Sequence, residues 1–219
     1  MVVIAVDGPA ASGKGTLCKS LAQKLNLAYL DTGSLYRATA LRVMRKGTSK
    51  NDLDALVPGA AAEAMAITAE DLHDDNIRSE IVGKMASVVS ADHTVRKALL
   101  QFQRVFCESP PDGVGGVILD GRDIGTVICP HASVKIYLTA DLSIRAMRRH
   151  KELVASGKDI NIDRVMNDMQ ERDHRDSARA TAPLCAAPDA FAIDTSHLTF
   201  DETVAVAMEH IRHKIPDLL

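Results

Sequence analysis

Val2-Val3-Ile4-Ala5-Val6-Asp7-Gly8-Pro9-Ala10-Ala11-Ser12-Gly13-Lys14-Gly15-Thr16 is the stretch on which the reading of this chain turns. An apolar, β-branched run stops at Asp7, a glycine-bearing loop follows, and a lysine and a hydroxyl open what reads as a helix. That order suits a loop wrapped around the polyphosphate tail of a nucleotide. Gly8, Gly13 and Gly15, with Pro9, Ala10, Ala11 and Ser12 between them, let backbone N–H groups turn inward towards anionic oxygens. Lys14 is placed to reach the outer phosphates and Thr16 to sit beside a metal ion. The spacing is G-x-x-x-x-G-K, but Gly15 separates the lysine from the hydroxyl, so the usual K-[ST] ending is missed by one place. The alternative is a structural glycine turn; the strand before and the helix after favour the phosphate loop.

Outward from this loop, short apolar runs alternate with helical periodicity. Residues 2–6, 28–30, 117–119, 134–138 and 190–193 read as buried strands. Helices are predicted over 14–25 (Leu17, Leu21 and Leu25 on one stripe), 34–46, from about Leu142, and over 162–178. The last helix opens on a capping box, Thr199-Phe200-Asp201-Glu202, and turns Val204, Ala207, Met208 and Ile211 inward. Five such strands separated by helices predict an α/β fold: a five-stranded parallel sheet with helices on both faces. In such sheets ligands bind beyond the carboxyl ends of the strands. Three of those ends carry polar clusters: Asp7 into the loop, Asp31-Thr32-Gly33, and Asp120-Gly121-Arg122-Asp123. Residues 48–92 read as an insertion capping that ligand end, or equally as a helical hairpin of the core. Asp52–Met65 and Ile77–Ser90 look helical, and Ile67–Leu72 is a weak strand at best.

Composition sets the outer limits. The chain has 219 residues, 46% of them hydrophobic, enough for a substantial core, and with 3% aromatics and no Trp that core rests on aliphatics and Met. A net charge of −3 argues against a general nucleic-acid binder. Cys18, Cys107, Cys129 and Cys185 form no C-x-x-C pair and no metal spacing with histidine, so free thiols in a reducing compartment are expected. The core strand begins at residue 2, leaving no room for a signal peptide, and no apolar run approaches the ~18 residues of a membrane span. A cytoplasmic protein with no membrane partner is expected, and without a heptad seam or obvious apolar edge, a monomer.

Phosphoryl transfer needs fixed positive charge around a migrating anionic group, and arginine supplies it bidentately. The run Glu171-Arg172-Asp173-His174-Arg175-Asp176-Ser177-Ala178-Arg179 puts Arg172, Asp176 and Arg179 on one helical face; alone, it reads first as a solvated helix with ion pairs. Arg145, Arg148, Arg149 and Lys151 follow the fourth strand and read as a mobile cover over phosphates or as a solvated helix end. After the third strand, Arg122 could grip a phosphate and Asp123 accept from a base amino group. Asp120 is placed to hold Mg²⁺ through water, or to cap the following turn.

With these residues in view, the chain resembles the bacterial cytidylate kinases, of the nucleoside monophosphate kinase group. The likeness is collinear over nearly the whole sequence. Its marks are the G-K-G-T loop, Leu30-Asp31-Thr32-Gly33-Ser34-Leu35-Tyr36-Arg37, Ala86-Ser87, Val95-Arg96, Gln103-Arg104, and Leu119-Asp120-Gly121-Arg122-Asp123-Ile124-Gly125-Thr126. They continue through Arg145-Ala146-x-Arg148-Arg149, the Glu171–Arg179 run, Ala182-Pro183-Leu184 and Ile193-Asp194-Thr195-Ser196. The resemblance implies a P-loop kinase domain over 1–219, a monophosphate-binding insertion at about 48–92 and a lid at about 145–162. It implies transfer of the γ-phosphoryl group of MgATP to CMP or dCMP. Residues 8–16 would hold ATP, with Thr16 and Asp120 at the metal, and Lys14, Arg122, Arg145 and Arg149 would serve catalysis. Thr32 matches a contact to the bound monophosphate, and Arg37 and Arg122 match arginines on its phosphate. Ser87, Arg96, Asp123 and Arg179 match residues around cytosine and phosphate, and Arg172 and Asp176 match residues near sugar or phosphate. One departure is visible: the family's β-rich insertion is here short and lacks a clear strand pattern.

Other readings make different demands. A kinase for another monophosphate or a small metabolite shares the donor loop. A GTP switch would need an N-K-x-D element, which does not occur. A non-catalytic nucleotide-binding regulator would not need so many arginines at one ligand end.

Overall fold

The computed structural model describes residues 1–47 and 59–218. Two compact units divide the chain: Met1–Leu30 with Pro110–Leu219, and Asp31–Ser109.

The first unit is built on strands β1 (Val2–Asp7), β2 (Ala28–Asp31, whose last residue opens the second unit), β3 (Gly116–Gly121), β4 (Val134–Thr139) and β5 (Phe191–Asp194). They form one parallel sheet in the order β2-β3-β1-β4-β5. The register sets Asp7 of β1 beside Gly121 of β3 and Tyr137 of β4, so the glycine loop and the 120–123 cluster leave neighbouring strands at the same end. Helices α1 (Lys14–Leu25) and α8 (Phe200–Lys214) cover one face, where Leu17, Leu21, Leu25, Val204, Ala207 and Ile211 close over Ile4, Val6, Ile118 and Ile136. Met208 is only partly buried against this cluster. The alternate strand residues, Ala5, Val117 and Leu119, point the other way and are also fully buried. The predicted capping box is formed: Thr199 Oγ1 accepts from Glu202 N, and the Glu202 carboxylate accepts from Thr199 N. Between β4 and β5, α6 (Leu142–Ala155) and α7 (Ile162–Ala178) pack through Ala146, Leu153, Val165 and Met169.

In the second unit, α2 (Thr32–Arg45) begins two residues earlier than the apolar pattern suggests, because the Asp31 carboxylate caps Ser34 N. Then come α3 (Ala60–Met65), α4 (Glu80–Val89) and α5 (His93–Glu108), with 3₁₀ turns at Glu70–His73 and Asp75–Arg78. The sequence reading leaves 93–108 unassigned; it is a full helix, started by the Asp92 carboxylate, which accepts from Thr94 N and Val95 N. The weak strand at Ile67–Leu72 does not form. Asp71 instead caps its own turn through Thr68 N and Oγ1 and pairs with Arg42, a local option that competes with extended structure. Of the helix expected over 52–65, residues 52–58 lie outside the described residues.

Candidate active site

The glycine loop owes its shape to backbone demands that the sequence meets. Gly8 sits at φ +146°, and a side chain there would run into the Leu138 carbonyl of β4. Gly13 is the N-cap of α1 at φ +94° and carries no capping side chain, while the first turn of α1 has no acidic residue. The N-caps of α2, α4, α5, α7 and α8 all accept a backbone N–H through their side chains. The start of α1 therefore presents orphan donors and positive dipole to the loop, which is where an anion is stabilised.

Lys14 is buried under this loop, and its Nζ donates to Pro9 O at 2.7 Å and Ser12 Oγ at 3.4 Å. Burial, and then the neighbouring Arg122 charge, push its pKa down to about 7, against the opposing pull of Asp120 and Asp7. Phosphate oxygens brought to this ammonium would restore the charged form. Asp120 is buried at the end of β3, where the Tyr29 hydroxyl donates to its Oδ2 at 2.9 Å. A Cβ at Gly15 would lie in ordinary contact with this corner, 3.4 Å from that Oδ2 and 3.6 Å from the Tyr29 hydroxyl. Thr16, in the first turn of α1, is exposed.

No group of three or more His, Cys, Asp or Glu able to hold a metal occurs among the described residues. One hydroxyl and one carboxylate fit Mg²⁺ nonetheless, because that ion keeps waters and takes phosphate oxygens rather than a full protein cage.

Arg122 leaves β3 towards α7. Its Nε donates to Asp176 Oδ2 at 3.0 Å and its Nη1 to Gly121 O at 3.1 Å, while Arg179 Nη1 lies 3.8 Å from Asp176 Oδ1. Burial disfavours the charge on Arg122, but Asp176, Asp120 and Asp173 outweigh it and raise its pKa. Burial likewise opposes ionisation of Asp176, and Arg122, Arg172 and Arg179 overcome it and hold the carboxyl below its ordinary range. The predicted single face of Arg172, Asp176 and Arg179 is thus modified at one end: α7 stops at Ala178, and Arg179 is extended at ψ 135°. Leu184 N donates to Asp176 O at 2.8 Å, tying the Ala182-Pro183-Leu184 run to the same turn. Asp123 is buried beside Arg122.

The three arginines of α6 are not equivalent. Arg145 is buried, donating to Ala140 O at 2.8 Å and Ala10 O at 3.3 Å, and pairing with Asp173 at 2.7 Å. Arg148 donates to the hydroxyl and carbonyl of Thr195, and that hydroxyl reaches Ser12 O at 3.2 Å. Among the described residues, Arg149 pairs locally, with the exposed Glu152 at 2.9 Å.

The second unit holds the remaining predicted residues. Thr32 is the buried first residue of α2, and Arg37 Nη1 donates to Ile77 O at 2.9 Å. Ser87 is buried in α4. Arg96 is buried in α5, donates to Ser90 O at 3.1 Å and stands over the Tyr36 ring, 5.4 Å from its centroid.

A family model described as cytidylate kinase matches residues 4–213. A cytidylate kinase of Rhodospirillum rubrum is 49% identical over 213 residues, covering 97% of this chain and 98% of the relative. The chain belongs to the cytidylate kinase family. Cytidylate kinases from Chromobacterium violaceum (46% identical, 97% of this chain, 96% of the relative) and Rhodopseudomonas palustris (49% identical, 95% and 94%) also match over nearly their whole length. A solved structure of an uncharacterized protein from Eubacterium ventriosum matches at TM-score 0.54 and 13% identity, over 96% of this chain and 98% of that one, a likeness of fold alone.

Three residues of this family member gained no role from sequence reasoning. Asp7 stood out as a strand-end carboxylate, but its partners, Ile124 N and Gly125 N at 2.8 Å each, are more than a hundred positions away. Tyr29 lies in the short run 28–30, whose pattern marks a buried strand and no more. Asp173 was one charge in a charged helix, and nothing in the sequence ties it to Arg145.

Proposed function

We propose that this cytidylate kinase transfers the γ-phosphoryl group of MgATP to CMP or dCMP, giving ADP and CDP or dCDP. The observation that carries the proposal is one place in the first unit. Buried Lys14, under an uncapped helix start, follows β1, and Arg122, clustered with Asp176 and Arg179 at the end of α7, follows the neighbouring strand β3. Donor and acceptor phosphates each find fixed positive charge there.

An oxygen of the acceptor phosphate, already ionised at neutral pH, attacks the γ-phosphorus. The bond from that phosphorus to the β–γ bridging oxygen breaks, and its electron pair leaves with ADP. No general base is required. The chain's work is positioning and charge compensation. Residues 8–16 hold the donor's phosphates through backbone N–H groups, and Lys14 turns from Pro9 O to the outer phosphates. In the first unit Arg122 holds the acceptor's phosphate, and Arg172, Asp176 and Arg179 frame its phosphate and sugar; in the second unit Thr32 and Arg37 are the residues that match the family's contacts to that phosphate. Asp123 accepts from the cytosine 4-amino group, a hydrogen bond that the carbonyl of uracil cannot give; in the second unit Ser87 and Arg96 match the family's residues around base and phosphate. Thr16 and, through water, Asp120 would hold Mg²⁺, which supplies charge neutralisation on the phosphates when bound.

Within a lid at about 145–162, Arg149 exchanges its exposed Glu152 partner for phosphate at the least cost. Arg145 braces the loop through Ala10 O. No described helix is long and apolar enough to cross a membrane.

A coupled ADP-release assay across CMP, dCMP, UMP and AMP tests the reading. CMP and dCMP should stimulate ADP release far above UMP and AMP, with little release from ATP alone. Equal stimulation by AMP or UMP would sink the assignment of Asp123.

A further inference from the structure

Gly83 is the fourth residue of α4 and is buried in the helix interior. Its backbone is helical, so no turn or left-handed conformation calls for a glycine, and glycine is disfavoured against alanine at such a place. Its surroundings explain it. A Cβ at Gly83 would stand 3.0 Å from Arg37 Nη2, 3.1 Å from Nη1 and 3.3 Å from Cζ. Those separations are shorter than relaxed van der Waals contact between carbon and its neighbours. The same guanidinium is fixed on its other side by the chain leading into α4: Nη1 donates to Ile77 O at 2.9 Å and reaches Ser79 O at 3.5 Å. The head of Arg37 therefore rests in a cradle made of two carbonyls and a bare helical Cα, all within the second unit.

We propose that Gly83 is a positioning residue for Arg37, its missing side chain setting the place from which that guanidinium meets the acceptor's phosphate. The proposal rests on the reading of Arg37 as a ligand of that phosphate. What a Cβ would meet is the far end of a flexible side chain rather than backbone. Arg37 yields, and the helix does not. The effect of a substitution then falls on acceptor binding and spares the fold and the donor site.

The test is steady-state kinetics with CMP varied at saturating ATP, and thermal melting, for the wild type, Gly83→Ala, Gly83→Ser, Arg37→Ala and the Gly83→Ala/Arg37→Ala double variant. Gly83→Ala should raise KM for CMP on the order of tenfold, as misplacement of a positioning group does. KM for ATP should hold, and the melting temperature should hold or rise because alanine is the better helix former. Gly83→Ser should raise KM for CMP at least as much. In the Arg37→Ala background Gly83→Ala should add nothing, since its only route of action has been removed. An unchanged KM for CMP in Gly83→Ala while Arg37→Ala raises it overturns the assignment, as does an equal Gly83→Ala effect without Arg37 or a marked fall in melting temperature. An unchanged KM in Arg37→Ala itself overturns the reading of Arg37, and the proposal with it.

Discussion

Asp7, the last residue of β1, accepts the backbone amide of Gly125 at 2.8 Å through Oδ2, while its Oδ1 takes that of Ile124 at the same distance. One carboxylate thus fastens the start of the glycine loop to the turn that carries Arg122 and Asp123. The proposed donor side and the proposed acceptor side of the first unit are joined by a side chain as well as by strand pairing.

Asp7 should leave a signature in the pH dependence of stability. Burial, its largest influence, with help from the Asp123 charge, raises its pKa from 3.8 to about 6, against the two amides and Lys14. A carboxyl raised in the folded state contributes stability that is fully present below pH 3.8 and is lost as pH rises through about 6. The displacement corresponds to about 3 kcal/mol. Asp7→Asn has no such group. Urea unfolding of both proteins between pH 3.5 and 7 should show the wild type losing about 3 kcal/mol relative to the variant across that range. A difference that stays flat with pH would remove Asp7 as the titrating group.

Lys14 should separate activity from stability. Its ammonium is buried, with carbonyl and hydroxyl acceptors and, among the described residues, no carboxylate in hydrogen-bond contact, and burial lowers its pKa to about 7. A lysine depressed in the folded state contributes a stability that grows as pH rises from about 7 towards 10.5. Lys14→Met keeps the stem and deletes the charge. Turnover should fall by about 10²–10³, the usual cost of one preorganised donor. The melting temperature at pH 7 should stay level or rise. Normal turnover in Lys14→Met would refute the proposed mechanism.

The Arg122–Asp176–Arg179 cluster should behave as one unit. Asp176 is buried and compensates two arginines, so Asp176→Asn should cost about 3 kcal/mol of stability, the scale for breaking a buried pair. Because the arginines hold Asp176 below its ordinary range, its contribution is present above pH 3.8 and lost as pH falls through its lowered pKa. The wild type should therefore lose stability on acidification below pH 3.8 by a component missing from the variant. KM for CMP should rise in Asp176→Asn more than KM for ATP. Acid unfolding curves that superimpose after a constant offset would count against the cluster.

What could be read from the sequence divides along a physical line. Elements carried by local signals were legible. The apolar runs gave the five strands, Leu17, Leu21 and Leu25 gave the buried stripe of α1, and Thr199 with Glu202 gave the cap of α8. The charged residues at strand ends were legible because a parallel sheet puts its ligands there. Long-range pairings were not. Tyr29 with Asp120, Asp7 with Gly125, and Arg145 with Asp173 each join residues whose separation carries no periodicity. Helix α5 is not legible in the sequence because its buried positions, Val95, Arg96, Leu99, Gln103 and Cys107, include two polar residues that blur the apolar stripe. Gly83 was invisible for a related reason: a helical glycine acquires meaning only from the Arg37 head that lies against it.

Tyr29 gives the last prediction, and it concerns the metal. Its hydroxyl occupies Oδ2 of Asp120 and so fixes how the carboxylate is turned, while contributing no oxygen of its own to the proposed Mg²⁺ site. Partners of this kind typically govern metal affinity by one to two orders of magnitude. Tyr29→Phe deletes one oxygen from a half-buried ring, so the ring's packing against the α1 and α8 cluster is kept. The half-saturating Mg²⁺ concentration should rise by about tenfold, while turnover at saturating Mg²⁺ stays within a factor of two or so of the wild type, because the reacting groups are untouched. Phe in place of Tyr29 with an unaltered Mg²⁺ dependence would mean that Asp120 does not serve the metal or that its backbone alone orients it. Asp120→Asn distinguishes the two, since it should raise the half-saturating Mg²⁺ concentration only in the second case.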